Sequence, residues 1–347
     1  MAYTAIDDPT AYFQTKLWTG NGGTQSITSL DFAPDWVWIK NRSAAEHHFA
    51  FDTVRGATKR LKVNADSAEG TESDSLTAFT SNGFNVGYTT EVNGSGNNIV
   101  SWNWKAGTSV SGNTGGSGTA KSYSGSVNTD SGISIISYTG NGSAGHTIPH
   151  HLGVIPKMVI AKVTVGNTNN WGVYHHTLGT NKTLYLDLSM AAETSSFIND
   201  TTPTSSVVSL SSNISNQDGK TFIMYSFAEK QGYSKFGSYT GNGNADGTFI
   251  YTGFKPAFVL FKRTSSTSNW SLFDNKRNTF NITDSYVQAD TTAAEQEYSD
   301  IYVDFLSNGI KQRGTNISLN SSGDSFVYMA FAENPFTTSS GIPACAR

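Results

Sequence analysis

One block of motifs recurs three times along this chain, and it limits the possible folds more than any other feature. YTGNG stands at 138–142 and 239–243, and WTGNG at 18–22. Behind each lies a proline that opens a hydrophobic run: PDWVWIK at 34–40, PKMVIAK at 156–162 and PAFVLFK at 256–262. Every run ends in a lysine, Lys40, Lys162 or Lys262, and an aromatic follows at similar spacing, Phe51, Tyr174 or Phe273. Each copy closes on a glycine turn and an aromatic-rich run: GNNIVSWNW at 96–104, GKTFIMYSF at 219–227 and GDSFVYMAF at 323–331. Five anchors in one order define three copies of one unit. A unit of about 100 residues is too long for a solenoid repeat and matches an independent sandwich domain.

Within each copy, short apolar runs alternate with Gly, Asn and Ser turns, the pattern of short antiparallel strands. Glycine and asparagine suit such turns because they tolerate positive φ. Charged residues make up only 14% of the chain, against about 25% in ordinary soluble proteins. The reading is an all-β chain of three tandem antiparallel β-sandwich units, jelly-roll or lectin-like, at 17–107, 132–231 and 232–336. An N-terminal arm occupies 1–16 and a tail 337–347. Residues 108–131 read as a Gly/Ser-rich linker, with an extended strand pair laid over the units as the competing reading. AAETSSF at 191–197 and AAEQEYSD at 293–300 are the only stretches that suggest a helical turn.

Most residues that look chemical read as structural. Gly140 to Gly145 fits GxGxxG after a strand-like run, but HTIPHHLG follows where a dinucleotide site needs a helix. Trp36 and Trp38 align with Met158 and Ile160, and with Phe258 and Leu260. Positions that exchange Trp for Met or Phe between copies are core positions rather than a sugar platform. The lysines share that core-facing parity, which points to pairing or snorkelling rather than catalysis. Arg55, Lys59, Arg60 and Lys62 read as a solvated basic loop. Five of seven histidines fall in the second unit, without cysteine or metal-ligand spacing to support a metal site, so no metal and no cofactor is expected. No nucleophile elbow, no Ser–His–Asp series and no carboxylate pair stands out, so no catalytic residue is nominated. Ligand contacts are expected on variable loops, with Trp171, His175 and His176 as the candidates, and further stretches at 201–206 and 290–300.

A net charge of −4 without a long basic run argues against nucleic acid as a partner. Cys345 stands alone, so no intrachain disulfide is possible. The opening residues have no signal-peptide pattern, and no apolar stretch approaches the about 18 residues of a membrane span. The protein is therefore expected to be made in a cytoplasm, without membrane insertion.

The strings IDDPTAYFQTKLWTGNG, PDWVWIKNRS, FDTVRGATKRL, VNGSGNNIVSWNWKAG, GYSKFGSYTGNG and AFAENPF resemble a group of marine bacteriophage tail-fibre or virion proteins built on an uncharacterised β-rich repeat domain. The resemblance spans nearly the whole chain. It implies a virion protein and transfers no catalytic or ligand residue. The expected role is a non-enzymatic tail fibre or spike that presents loops to a host surface glycan. The alternative is a capsid decoration or head-fibre protein, and a remote third is a polysaccharide-degrading tailspike. Expected partners are other virion proteins and the chain itself as a homotrimer. Tyr12 and Phe13 are expected to be apolar anchors of an attachment arm.

Overall fold

The computed structural model describes residues 4–212 and 214–344. It is built from antiparallel strands, and each repeat forms a sandwich of a large inner sheet and a three-stranded outer sheet. In unit 1 the inner sheet runs Phe13–Thr19, Asn98–Trp104, Trp36–Asn41, Phe49–Asp52, Lys59–Lys62 and Gly70–Thr71. Unit 3 repeats this order from Ser234–Thr240 through Ser325–Pro335 and Phe254–Arg263 to Gln296–Glu297. The inner sheet of unit 2 has the same series, from Ile133–Thr139 to Glu193–Thr194, plus two more strands at one edge.

Those two strands are Thr108–Asn113 and Ser122–Asn128, so the stretch expected to be a linker is an ordered hairpin. Its composition hides three packed side chains: Tyr123 and Val127 are buried and Val110 packs beside them. Gly125 lets it approach; a Cβ there would sit 2.5 Å from Ile136 Cδ1. Gly115–Gly116 then joins the outer sheet of unit 2. The two expected helical turns are extended instead. Ala192 and Glu295 give their amides to the Thr264 and Arg42 carbonyls of neighbouring units, which removes them from any local turn.

The recurrent GNG is a docking turn. Gly20, Gly140 and Gly241 lie so close to the backbone at Gly94, Gln217 and Ser321 that a Cβ would fall 2.1–2.3 Å from those carbonyl oxygens. The next residue's amide is held by a buried asparagine: Asn21 by Asn93, Asn141 by Asn216 and Asn242 by Asn320. No helix begins at Gly140–Gly145.

Central strands such as Trp36–Asn41 are buried on both faces, hence their continuous apolar runs. One face, with Val37 and Ile39, packs on the unit's own outer sheet. The other carries Trp36 and Trp38 into a fourth and largest core, shared by all three units. There Trp36 stacks on Trp104 at 4.3 Å and on Tyr225 of unit 2 at 4.7 Å, and Phe13 stacks on Phe331 of unit 3 at 5.3 Å. Three self-sufficient cores are thus the wrong picture: three sandwiches are fused around a common aromatic centre.

Candidate functional site

The residues nominated as ligand contacts lie at the seams between units. Trp171 is fully buried and its Nε1 donates to the Lys62 carbonyl of unit 1 at 2.9 Å. The equivalent Trp270 of unit 3 donates to the Tyr185 carbonyl of unit 2 at 2.8 Å. In unit 1 the place is taken by His48, whose ring faces the Gln288 backbone of unit 3. Each unit thereby reaches the next around a closed ring, unit 1 to 3, 3 to 2 and 2 to 1. Because Lys62, Tyr185 and Gln288 occupy matching strand registers, the ring has pseudo-threefold symmetry.

The three lysines follow the same circuit. All are fully buried. Lys40 Nζ donates to the carbonyls of Ala44, Glu46 and, across the seam, Thr292 at 3.0 Å. Lys162 reaches Asp66 of unit 1 at 2.6 Å, and Lys262 reaches Ser189 of unit 2 at 2.8 Å. An ammonium group has three donors and no acceptor, so backbone carbonyls suit it. Burial lowers Lys40 and Lys162 to about 8, which leaves them charged at neutral pH. Burial also raises the Asp187 carboxyl to about 6, although it accepts the Trp171 amide at 2.9 Å.

A further set of contacts runs round the ring in the opposite sense. Asp52 is paired with Arg55 at 2.6 Å and receives the Tyr225 hydroxyl of unit 2 at 2.7 Å. Asp274 is paired with Arg277 at 2.6 Å and receives the Trp102 Nε1 of unit 1 at 3.0 Å. In unit 2 the same places hold His175 and Leu178, and the facing residue of unit 3 is Met329. Methionine has no donor to give a carboxylate. An aspartate there would be a buried charge one hydrogen bond short, and the chain has a neutral ring instead. His175 Nε2 lies 3.2 Å from the Tyr328 carbonyl, and burial drops its pKa to about 3. His176 Nε2 lies 2.9 Å from the Phe236 carbonyl. Trp171 and His175 are therefore buried where units join and are not free to contact a ligand, and the half-buried His176 also joins units 2 and 3. Arg55, expected in a solvated loop, is buried in this junction. The stretch at 290–300 packs on unit 1 through Glu295, which pairs with Arg42 at 2.5 Å.

The arm is likewise docked. Phe13 is a central-core residue, and Tyr12 packs edge-on against Tyr233 at 6.1 Å. Thr4 Oγ1 donates to the Gln231 carbonyl at 2.8 Å. Phe13 cannot serve as an exposed anchor; the run FQTKLWT is the edge strand of unit 1. Cys345 lies outside the described residues. Among the described residues, no group of three His, Cys, Asp or Glu side chains could hold a metal ion, and no helix is long and apolar enough to cross a membrane.

What remains open to solvent differs between copies. The hairpin after the lysine strand pairs residues 13 apart in units 1 and 2, Phe49 with Lys62 and Gly172 with Tyr185. In unit 3 it pairs Ser271 with Gln288, 17 apart. The extra length forms a loop that closes on the outer sheet: Asn281 exchanges two hydrogen bonds with the Phe305 backbone, and Thr283 bridges Val303. Between this loop, the 305–308 turn and the end of the Ser325–Pro335 strand lies a groove of about 660 Å³. Its wall includes Asn275, Asn278, Asn308 and Asn334, with Lys255 and Glu333 paired at 2.5 Å. The Asn275 Oδ1 is buried without a hydrogen-bond partner among the described residues. Phe280 stands at the mouth, 71% exposed. Nearby on the outer sheet, Phe249 and Tyr251 are 44% and 60% exposed and flank the buried Ile250. The matching positions carry Ser26 and Thr28 in unit 1, and Thr147 and Pro149 in unit 2. The sequence carried a signal for this site, the four residues added after Phe273, which comparison of the copies exposes.

Comparison with known families finds one match, a domain of unknown function designated DUF7483, over residues 8–335. That span takes in all three units as one domain. No curated protein and no solved structure matches the chain.

Proposed function

We propose for this chain, which belongs to the DUF7483 family across all three of its units, a non-enzymatic structural role in a virion, as a tail-fibre or spike protein that offers outer loops to a host surface glycan. The observation that carries this reading is where the chemistry lies. Buried lysines, histidines and Asp–Arg pairs are spent on closing the ring. On the outside, unit 3 carries a longer hairpin and the exposed aromatics Phe249 and Tyr251, which units 1 and 2 lack. A rigid body with one distinctive outer face suits adhesion better than turnover. The resemblance to marine phage virion proteins supplies the setting. The aromatic centre that three separate chains would bury together is buried here within one chain. Any self-association, including the trimer expected of a fibre, must therefore use the outer surface.

The test is localisation. Antibody against the chain, imaged on purified particles by electron microscopy, is expected to label the tail. Label over the shell would favour the decoration reading instead. Particles that carry no such chain would refute both.

A further inference from the structure

We infer that the open edge of the Phe13–Thr19 strand, in the seam between units 3 and 1, accepts an extended peptide strand from a partner protein, one that sets an acidic residue between two hydroxyl-bearing ones. The inference goes beyond the proposed function and does not rest on it. The three copies act as each other's controls, because each has a strand at this place leading into the GNG turn. In unit 2 that strand, Ile133–Thr139, is covered by the chain's own Ser122–Asn128. There Ser124, Ser126 and Asn128 face Ser137, Ile135 and Ile133, and Ser126 Oγ donates to Asp35 of unit 1 at 3.2 Å. Asp35 also takes the Thr53 hydroxyl at 2.8 Å. In unit 3 the matching edge, Ser234–Thr240, is closed by side chains. The Phe236 amide reaches the Glu229 carboxylate, and the Phe236 carbonyl takes the His176 ring.

Unit 1 has neither cover. The Tyr12 carbonyl accepts the Lys105 amide and the Gly20 amide donates to the Asn97 carbonyl, so even-numbered residues bond to the Asn98–Trp104 strand. Phe13, Thr15 and Leu17 therefore turn their backbone groups the other way. On that side they make no backbone hydrogen bond to a described residue. Beside them lies a groove of about 370 Å³, walled by Ala257, Asn275 and Lys276 of unit 3. Ala257 and Asn275 hold the places of Asp35 and Thr53. Two polar atoms of the lining, Thr15 Oγ1 and Asn275 Oδ1, are buried without a partner among the described residues, and Thr15 as a whole is only 7% exposed. A serine or threonine opposite Thr15, where Ser126 stands in unit 2, brings the missing hydroxyl. The next residue of such a strand lies opposite Lys16, at the place of Gly125. Lys16 and Lys276 form no ion pair with a described residue, and the third charge of the lining, Glu333, is held by Lys255. An acidic side chain opposite Lys16 completes a cross-strand pair. Main-chain bonds along the free edge would supply the affinity and these side chains the selectivity.

The experiment titrates a labelled synthetic peptide into the purified full chain, followed by fluorescence anisotropy and amide hydrogen exchange. The peptide has the 122–128 sequence SYSGSVN with Gly125→Glu. It is expected to bind with a dissociation constant below about 1 mM, and to slow exchange at Phe13, Thr15 and Leu17 by roughly tenfold or more. The Gly125→Lys peptide should bind roughly fivefold more weakly, and Lys16→Glu in the chain should invert that preference. Leu17→Pro removes one outward N–H from an edge strand, where proline is tolerated, and should abolish binding. N-methylation of the peptide at the residue opposite Thr15 tests the same edge without altering the chain, and should abolish binding too. Absence of binding at about 1 mM overturns the inference. So do equal affinities for the two peptides, slowed exchange confined to other amides, or binding that survives N-methylation. A chain that sediments as a dimer with the same three amides protected would make a second copy the occupant and overturn the partner strand.

Discussion

His175 breaks the threefold pattern at a buried, titratable position. Its ring is buried and neutral, with a pKa near 3 against 6.5 for a free histidine. Between those values the unfolded chain binds the proton and the folded chain does not. Its contribution to stability is therefore complete above pH 6.5 and is lost as pH falls toward 3. Asp187 acts in the opposite sense. Its raised carboxyl favours the folded state below about 4, an advantage lost as pH rises through 6. A comparison with His175→Gln, whose amide can still donate to the Tyr328 carbonyl, isolates the histidine. Wild type is expected to lose about 2 kcal/mol relative to the variant between pH 6.5 and pH 5, at about 1.4 kcal/mol per pH unit. Urea unfolding at the two pH values measures it, and parallel losses in both proteins would contradict the assignment.

At the scale of the element, the hairpin that follows the lysine strand is a cassette with interchangeable contents. Two copies carry Asp-x-x-Arg and face a tyrosine hydroxyl or an indole N–H; the third carries His175 and Leu178 and faces Met329. Physical chemistry couples these choices across a seam. His175→Asp alone is expected to cost about 3–5 kcal/mol, since it buries a carboxylate without arginine or donor. Adding Leu178→Arg and Met329→Tyr rebuilds the junction of units 1 and 2 and should recover most of that loss. Equilibrium unfolding of the single and triple variants decides it; a triple variant no better than the single would show the seams are not equivalent. The 108–128 hairpin teaches a related lesson. Its Ser and Gly content reads as flexible, yet Tyr123 and Val127 at alternating positions hold it on the sheet.

For the whole molecule, the central core makes the units interdependent. Unit 3 alone, residues 232–336, would expose Phe258, Leu260, Met329 and Phe331 to water. It is expected to aggregate or to remain loosely packed, whereas the intact chain should unfold in one cooperative transition. Calorimetry of the chain and of the excised unit tests this; a monomeric, sharply melting unit 3 would contradict it. Removing residues 1–16 should also be severe. It takes Phe13 from the centre, a loss comparable to the about 3–5 kcal/mol of a buried Phe→Ala change. It also takes half of an edge strand.

The sequence alone determined the triplication, the antiparallel strands and the inward aim of Trp36, Trp38, Trp102 and Trp104. Repeated motifs and period-two patterning are local properties, and a position that accepts Trp, Met or Phe has to be buried. Tertiary structure decided what those faces are buried against. Periodicity records that a side chain leaves water but not which surface receives it. The fourth core, the ring of lysine–carbonyl bonds and the seam positions of Trp171, His175 and His176 thus appear only when residues far apart in the chain are set side by side, as Lys40 and Thr292 are across 252 residues.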